Sequence, residues 1–239
     1  MIGVFDSGLG GLTVFNAIRT YAPKTDLVYF GDTKNAPYGN KTKEEVKKLA
    51  AESIQKLIDE GVVEIVSACN SISISLDAPL LTSLSLSKEN IIEMVGPTIQ
   101  DLKNREEKNI LLCATQITID SGVYQDRLKG IGKKVEELPL PELVSYIESG
   151  KNREEVQKLL EKYKQTQGKI SADLILLGCT HYPLVADVFE EVFSIPTYNP
   201  ANAVAREVLS RFNCDGEGKE KISFSKETKQ TQRYTKRTP

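Results

Sequence analysis

The sequence predicts an α/β protein made of two similar domains. Each holds a mainly parallel sheet flanked by helices, and a pseudo-two-fold axis relates them, with the functional cleft between. Three observations carry this. Short β-rich runs alternate with amphipathic stretches along the chain. Those runs are almost continuously apolar, as in strands covered on both faces. Two segments also repeat: Val66-Ser67-Ala68-Cys69-Asn70-Ser71 resembles Leu176-Leu177-Gly178-Cys179-Thr180-His181 at an offset of 110, and Ile2 to Ser7 parallels Ile110 to Thr115 at 108. Matches this short also arise by chance, so duplication is an expectation for the structure to test.

Strands are expected at 2–6, 26–30, 64–68, 91–95, 109–113, 133–137 and 173–178. Helices are expected at 11–21, 42–60, 97–105, 119–129, 153–166, 184–193 and 201–212. The clearest is 42–60. Thr42 and Glu45 have capping-box spacing, Gly61 supplies the stop, and Val46, Leu49, Ala50, Ser53, Ile54, Leu57 and Ile58 form one stripe. A joint near Gly96-Pro97 divides the chain into a first domain of 1–96 plus about 205–218 and a second of 97–204. Residues 219–239 carry seven Lys/Arg and two Asp/Glu, a net +5 against −2 for the whole chain, so the rest carries −7. The tail reads as a solvated basic segment, with an electrostatic partner contact as the alternative.

Composition narrows the function. The 239 residues are 40% hydrophobic and 27% charged, ordinary for a globular chain. A net charge of −2 argues against a general nucleic-acid surface. No apolar run approaches the roughly 18 residues of a membrane span, and Met1 leads straight into a strand with no secretory signal, so the expected location is the cytoplasm. His181 is the only histidine, which leaves almost no material for a His-based zinc site. The four cysteines, at 69, 113, 179 and 214, form no C-x-x-C pair.

In open α/β sheets ligands gather at the carboxyl ends of the strands. Asp6-Ser7-Gly8-Leu9-Gly10-Gly11 follows the first strand. Gly8 and Gly10 resemble half a dinucleotide fingerprint, but Thr13 stands where the third glycine belongs and no P-loop Lys-Ser/Thr follows. The competing expectation is a tight turn under a small ligand, with the next helix offering free N–H groups to a carboxylate. Cys113 lies inside an apolar run and reads as core, and Cys214 reads as incidental. Cys69 and Cys179 each stand where a strand becomes a polar loop, and His181 is two residues past Cys179. His181 alone also fits a hydrogen-bonded structural histidine. Two opposed thiols suit a two-base machine, one removing a proton while the other donates to the opposite face. A one-nucleophile hydrolase would need only one Cys with a His and an orienting acid.

Together, Asp6 to Leu12, Asp32-Thr33-Lys34-Asn35-Ala36-Pro37-Tyr38-Gly39, Ala68-Cys69-Asn70-Ser71 and Gly178-Cys179-Thr180-His181-Tyr182-Pro183-Leu184 resemble the glutamate racemases of the aspartate/glutamate racemase superfamily, from residue 2 to about 212. The resemblance implies an isomerase that interconverts L- and D-glutamate and supplies D-glutamate for peptidoglycan. It implies no cofactor, neither pyridoxal phosphate nor metal. It makes Cys69 and Cys179 the two acid/base residues, Cys69 serving the D and Cys179 the L enantiomer, with Asp6 and His181 in support and Glu148 a further acid near the cleft. Substrate-binding positions carried over are Asp6, Ser7, Pro37, Tyr38, Gly39, Asn70, Ser71, Thr115, Thr118, Thr180 and His181, and Ser121 extends the hydroxyl-rich loop. The implied partner is the small-molecule substrate, with no nucleic acid or membrane, and a homodimer is among the assemblies left open. Aspartate racemisation, another superfamily reaction and a silent binding homologue are the alternatives. The chain departs from the family pattern at Ser71-Ile72-Ser73, where Ile72 adds bulk, at Tyr198-Asn199-Pro200-Ala201, which loses a carboxylate, and in its tail.

Overall fold

The first strand, β1 (Ile2–Asp6), is buried at all five positions, as is β2 (Leu27–Gly31). Unbroken apolar runs of this kind need cover on both faces, and helices supply it. The computed structural model describes residues 1–228 and 230–232. Along it α1 (Leu12–Tyr21) links β1 to β2, and α2 (Lys43–Asp59), β3 (Glu64–Ser67), α3 (Asn70–Ser73), α4 (Ala78–Ser83) and β4 (Ile91–Ile92) follow. After α5 (Val95–Lys103) the pattern restarts. β5 (Asn109–Ala114), α6 (Gln116–Asp120), α7 (Val123–Gly130), β6 (Lys134–Pro139), α8 (Leu143–Glu148), α9 (Arg153–Gln167), β7 (Leu174–Gly178), α10 (Ala186–Phe193) and β8 (Thr197–Tyr198) come next, before α11 (Ala201–Arg211) and β9 (Glu220–Phe224).

The strands form two sheets, β4-β3-β1-β2-β9 and β6-β5-β7-β8, and every described pairing is parallel. With β1 matched to β5, the first four strands of each half have one order. The short sequence repeats therefore extend to topology, and Cys69 and Cys179 stand just past the equivalent strands β3 and β7.

Alternate residues of each central strand face opposite layers. Ile2 and Val4 meet α1 and α11 through Phe15, Ile18, Val204 and Val208. Phe5 turns to α2 and its Val46, Ala50, Ile54 and Leu57. In the second sheet Leu111 and Cys113 face α9 and α10, whereas Ile110 and Leu112 face α5 and α7. The cap of α2 forms as expected: Glu45 N–H donates to Thr42 Oγ1 (3.2 Å), Thr42 N–H donates to Glu45 Oε2 (2.8 Å), and Gly61 adopts φ +82° past the end.

Several elements differ from expectation. The 119–129 helix is two helices, parted by Gly122 at φ +67°. The 91–95 strand stops at Ile92, because the Glu93 carboxylate takes the Val95 and Gly96 N–H groups (2.5 and 2.6 Å) and starts α5. The chain is back in the first core by Ala201, ahead of the expected return at about 205. The solvated-tail expectation is also corrected. Glu220–Phe224 pairs along β2 from Leu27↔Glu220 to Gly31↔Phe224. Ile222 and Phe224 pack onto the first core, while Glu220 and Lys221 stay exposed, so an edge strand passed as polar chain. The rest of the basic segment, Lys229 and residues 233–239, lies outside the described residues.

Replacing Thr42 by Ala removes the side-chain half of the α2 cap. Stability in urea unfolding should fall by about 1 kcal/mol, with the helical content of the folded protein unchanged.

Candidate active site

Asp6 ends β1 with its carboxylate fully buried. It accepts from Gly8 N–H (3.0 Å) and, across the cleft, from the Thr180 hydroxyl (3.3 Å). Burial pushes its pKa up, and His181 together with the Gly11 and Gly8 N–H groups only partly offsets this.

The glycine loop is explained by close approach and not by an unusual turn: Gly8, Gly10 and Gly11 all lack a positive φ. A methyl on Gly8 would lie 2.5 Å from Glu148 Oε1. One on Gly10 would lie 2.5 Å from His181 Nδ1 and 2.6 Å from Thr180 Oγ1. One on Gly11 would strike Asp6 Cβ. Nor does α1 offer free N–H groups to a carboxylate there, since those of Leu12, Thr13 and Val14 already donate to the carbonyls of Leu9, Gly10 and Gly11.

Cys69 sits between β3 and α3, buried, and its Sγ–H donates to Ser7 Oγ (3.7 Å). Burial pushes this thiol well above its usual range and the Asp6 charge adds to that. Cys179 is among the groups whose charge it feels. Cys179 is also buried, with Sγ 3.9 Å from His181 Nδ1. His181 Nε2 in turn lies 2.8 Å from Glu148 Oε1, a partner donated by the end of α8. Burial alone would lower the imidazole pKa. The bonds to Cys179 and Glu148 outweigh it and raise it to about 10, so the ring is an imidazolium at neutral pH. Its charge is placed to stabilise negative charge developing on Cys179 Sγ.

Hydroxyls and amides line the seam between the halves. Ser71 Oγ is 3.1 Å from Thr115 Oγ1, which is 3.1 Å from Thr118 Oγ1. Gly39 lets Thr115 come close, for an added methyl would lie 2.8 Å from Thr115 Cβ. Asn70 Oδ1 accepts from the Tyr124 hydroxyl (2.6 Å), and Asn70 Nδ2 is buried with no partner among the described residues. A buried donor left orphaned in the residue after Cys69 is poised for a ligand acceptor. The Tyr38 hydroxyl donates to Asp32 Oδ2 (2.6 Å). Pro37 follows a cis peptide bond and makes no polar side-chain contact, and Ser121 caps locally onto Thr118 O (2.7 Å).

The structure thus brings Asp6, Ser7, Cys69, Asn70, Ser71, Thr115, Cys179, Thr180, His181 and Glu148 to one seam. Two residues given no role by the sequence patterns belong with them. Asp32 directly follows β2, as Asp6 ends β1, and opens the Asp32–Gly39 motif, which assigned it no role. Tyr124 sits in the first turn of α7 and carries no local signal. Of the departures, Ile72 is fully buried in the core cluster that holds Ile54, Leu81 and Cys69, and Asn199 Oδ1 accepts from Ala201 N–H (3.0 Å) at the start of α11. Cys113 is fully buried in the core, its thiol pushed up by burial.

Cys179, His181 and Glu148 alone have the order of a nucleophile, base and orienting acid. The second buried thiol, from the matching position in the other half, has no part in that chemistry. It is what a two-sided proton transfer requires.

Comparison with known proteins identifies the family. Residues 12–208 match the family described as Asp/Glu/Hydantoin racemase. A glutamate racemase of Aquifex aeolicus is 34% identical over 98% of this chain and 92% of its own length. One from Aquifex pyrophilus is 40% identical over 77% and 72%. A glutamate racemase isoform of Bacillus anthracis superposes with a TM-score of 0.87 at 26% identity, covering 99% of this chain and 92% of its own. The enzyme of Francisella tularensis, solved with D-glutamate, gives 0.83 at 25% identity over 95% and 89%. The chain belongs to the Asp/Glu racemase family and is an amino-acid racemase. No helix among the described residues is long and apolar enough to cross a membrane.

Gly10→Ala should displace His181 and Thr180. Misplacement of about 1 Å costs roughly 100-fold in rate, so racemase activity should fall by that order, with the circular dichroism spectrum retained. The raised His181 pKa also sets a stability window. Its contribution is fully present below pH 6.5 and is lost as pH rises through about 10. The stability difference between wild type and His181→Asn, from urea unfolding across that range, should shrink in that direction.

Proposed function

We propose that this protein racemises glutamate by a two-base mechanism without pyridoxal phosphate or metal, in the cytoplasm, and supplies D-glutamate for peptidoglycan. The observation that carries the mechanism is the pair of buried thiols at equivalent strand ends, each with its own hydroxyl or imidazole partner. Starting from L-glutamate, the Cys179 thiolate takes the α-proton and becomes a thiol. The Cys69 thiol gives its proton to the opposite face of Cα and becomes a thiolate. The reverse transfer starts from D-glutamate. Between the two, negative charge develops on Cα and the adjoining carboxylate; the unpartnered Asn70 Nδ2–H and the Ser71 hydroxyl would meet it, while the Thr180 hydroxyl is committed to Asp6. The raised Cys69 thiol suits the donor role in the L-to-D direction.

Ser7, Cys69, Asn70, Thr180 and Cys179 are all under a tenth exposed. Glutamate therefore enters by separation of the halves, and closure removes water and strengthens each dipole around the reacting carbon. The preference for glutamate rests on the relatives named above and on the motifs, and one methylene fewer in aspartate is worth only about 1–3 kcal/mol.

The test is each enantiomer of glutamate in deuterated water with no added pyridoxal phosphate, following optical rotation and the α-proton signal. Racemisation with deuterium uptake is expected. Cys69→Ala and Cys179→Ala should each lower it by about 10²- to 10⁴-fold, the usual weight of a positioned acid or base. Binding without exchange would instead point to a silent homologue, and loss of only the Cys179 variant's activity to a one-nucleophile reaction.

A further inference from the structure

We propose that Ser225, just past β9 and outside every motif of the family resemblance, is a positioning residue for the racemase site. It acts through Asp32 on the Tyr38-Gly39 turn. This rests on the racemase reading above.

The contacts run in one direction, from the chain's end to the seam. Ser225 N–H donates to Gly31 O (3.0 Å), which continues the β2–β9 ladder to the last residue of β2. Its Oγ–H donates to Asp32 Oδ1 (2.6 Å), and the same Oγ accepts from Lys34 N–H (2.9 Å). Thr33 Oγ1 donates to Lys226 O (2.6 Å) and accepts from Lys226 N–H (3.1 Å), so the strand end is stitched to the loop on both sides. Asp32 is buried, and its other oxygen accepts from Tyr38 Oη–H (2.6 Å) and Asn35 Nδ2–H (2.8 Å). Tyr38 is buried in the cluster that contains Cys69 and Ile72, and its neighbour Gly39 lies against Thr115 of the second half. Phe224 makes a second link. It packs on Tyr29 (5.8 Å between ring centres), whose hydroxyl donates to Gly8 O (2.7 Å) in the glycine loop.

A carboxylate gripped at only one oxygen can rotate. Held at both, Asp32 presents one fixed acceptor to Tyr38, and that fixes how the turn seats against Cys69 and Thr115. Ser225 touches neither thiol, so its effect must pass through Tyr38.

The test compares Ser225→Ala, Ser225→Thr and Ser225→Val in the full chain, the last two matched in shape and differing in the hydroxyl. Ser225→Ala and Tyr38→Phe are also combined. Ser225→Ala and Ser225→Val should lower kcat/KM for both enantiomers by about tenfold, as expected for losing one hydrogen bond to a charged group. Ser225→Thr should stay within about twofold of wild type. In the Tyr38→Phe background Ser225→Ala should cost nothing further, the signature of two residues acting through one contact. If wild type is active and Ser225→Val matches it, or if the two losses simply multiply, the inference is overturned. If wild type itself fails to exchange the α-proton, the racemase reading falls first and this one with it.

Discussion

The contact on which the rest depends is the approach of the second half to the backbone of residues 8–11. His181, Thr180 and Glu148 occupy the places where side chains on Gly8 and Gly10 would be. That absence of side chains lets the Thr180 hydroxyl reach Asp6, and it puts the His181 ring between Cys179 and Glu148 while touching the first half. An alanine here would add little bulk in volume but would part the groups that must meet. Close-packed interiors transmit such a change instead of absorbing it. Gly39 plays the same part lower in the seam, where Thr115 joins the hydroxyl chain to Ser71. The glycines are thus the negative image of the site.

Within this frame the two thiols are equivalent in topology and unlike in surroundings. Cys69 has a neutral hydroxyl partner and a buried carboxylate nearby, both consistent with a thiol that keeps its proton. Cys179 has an imidazolium backed by Glu148. A racemase needs access to both faces of one carbon, which the repeated strand order provides. In the proposed two-base reaction it does not need equal environments, because in either direction one cysteine begins as the thiolate and the other as the thiol. Duplication supplies the geometry, and local substitution around each strand end supplies the chemistry.

What could be read from the sequence follows the range of the forces involved. The alternation of strand and helix, the α2 cap, Cys113 as core and the clustering of residues at strand ends are set by neighbours within a few positions, and they were legible. The partners of those residues were not. Tyr124 finds Asn70 across 54 positions of chain, and Glu148 finds His181 across 33. Glu148 was marked only by the family resemblance, and Tyr124 by nothing. The glycine loop was legible as special for the wrong reason: its spacing suggested a turn and free N–H groups, whereas the cause is a neighbour more than 130 residues distant along the chain.

The basic tail shows how a symmetry argument can reach further than composition. By strand order β2 is the counterpart of β6. β6 ends its sheet and is built for that place: Lys134, Glu136 and Glu137 leave it mostly exposed or half-buried, and charge of this kind protects a free edge. β2 reads Leu-Val-Tyr-Phe-Gly and is buried throughout. A strand so apolar cannot end a sheet in water without inviting a partner. Once the repeat is accepted, the contrast between these two strands calls for a further strand beside β2, and only the region after α11 remains to provide it. β9 does so with Ile222 and Phe224 turned inward. The extra strand makes the first half differ from the second and carries Ser225 to the carboxylate that holds Tyr38, so the cover demanded by an apolar edge is tied to the Tyr38 turn through Asp32.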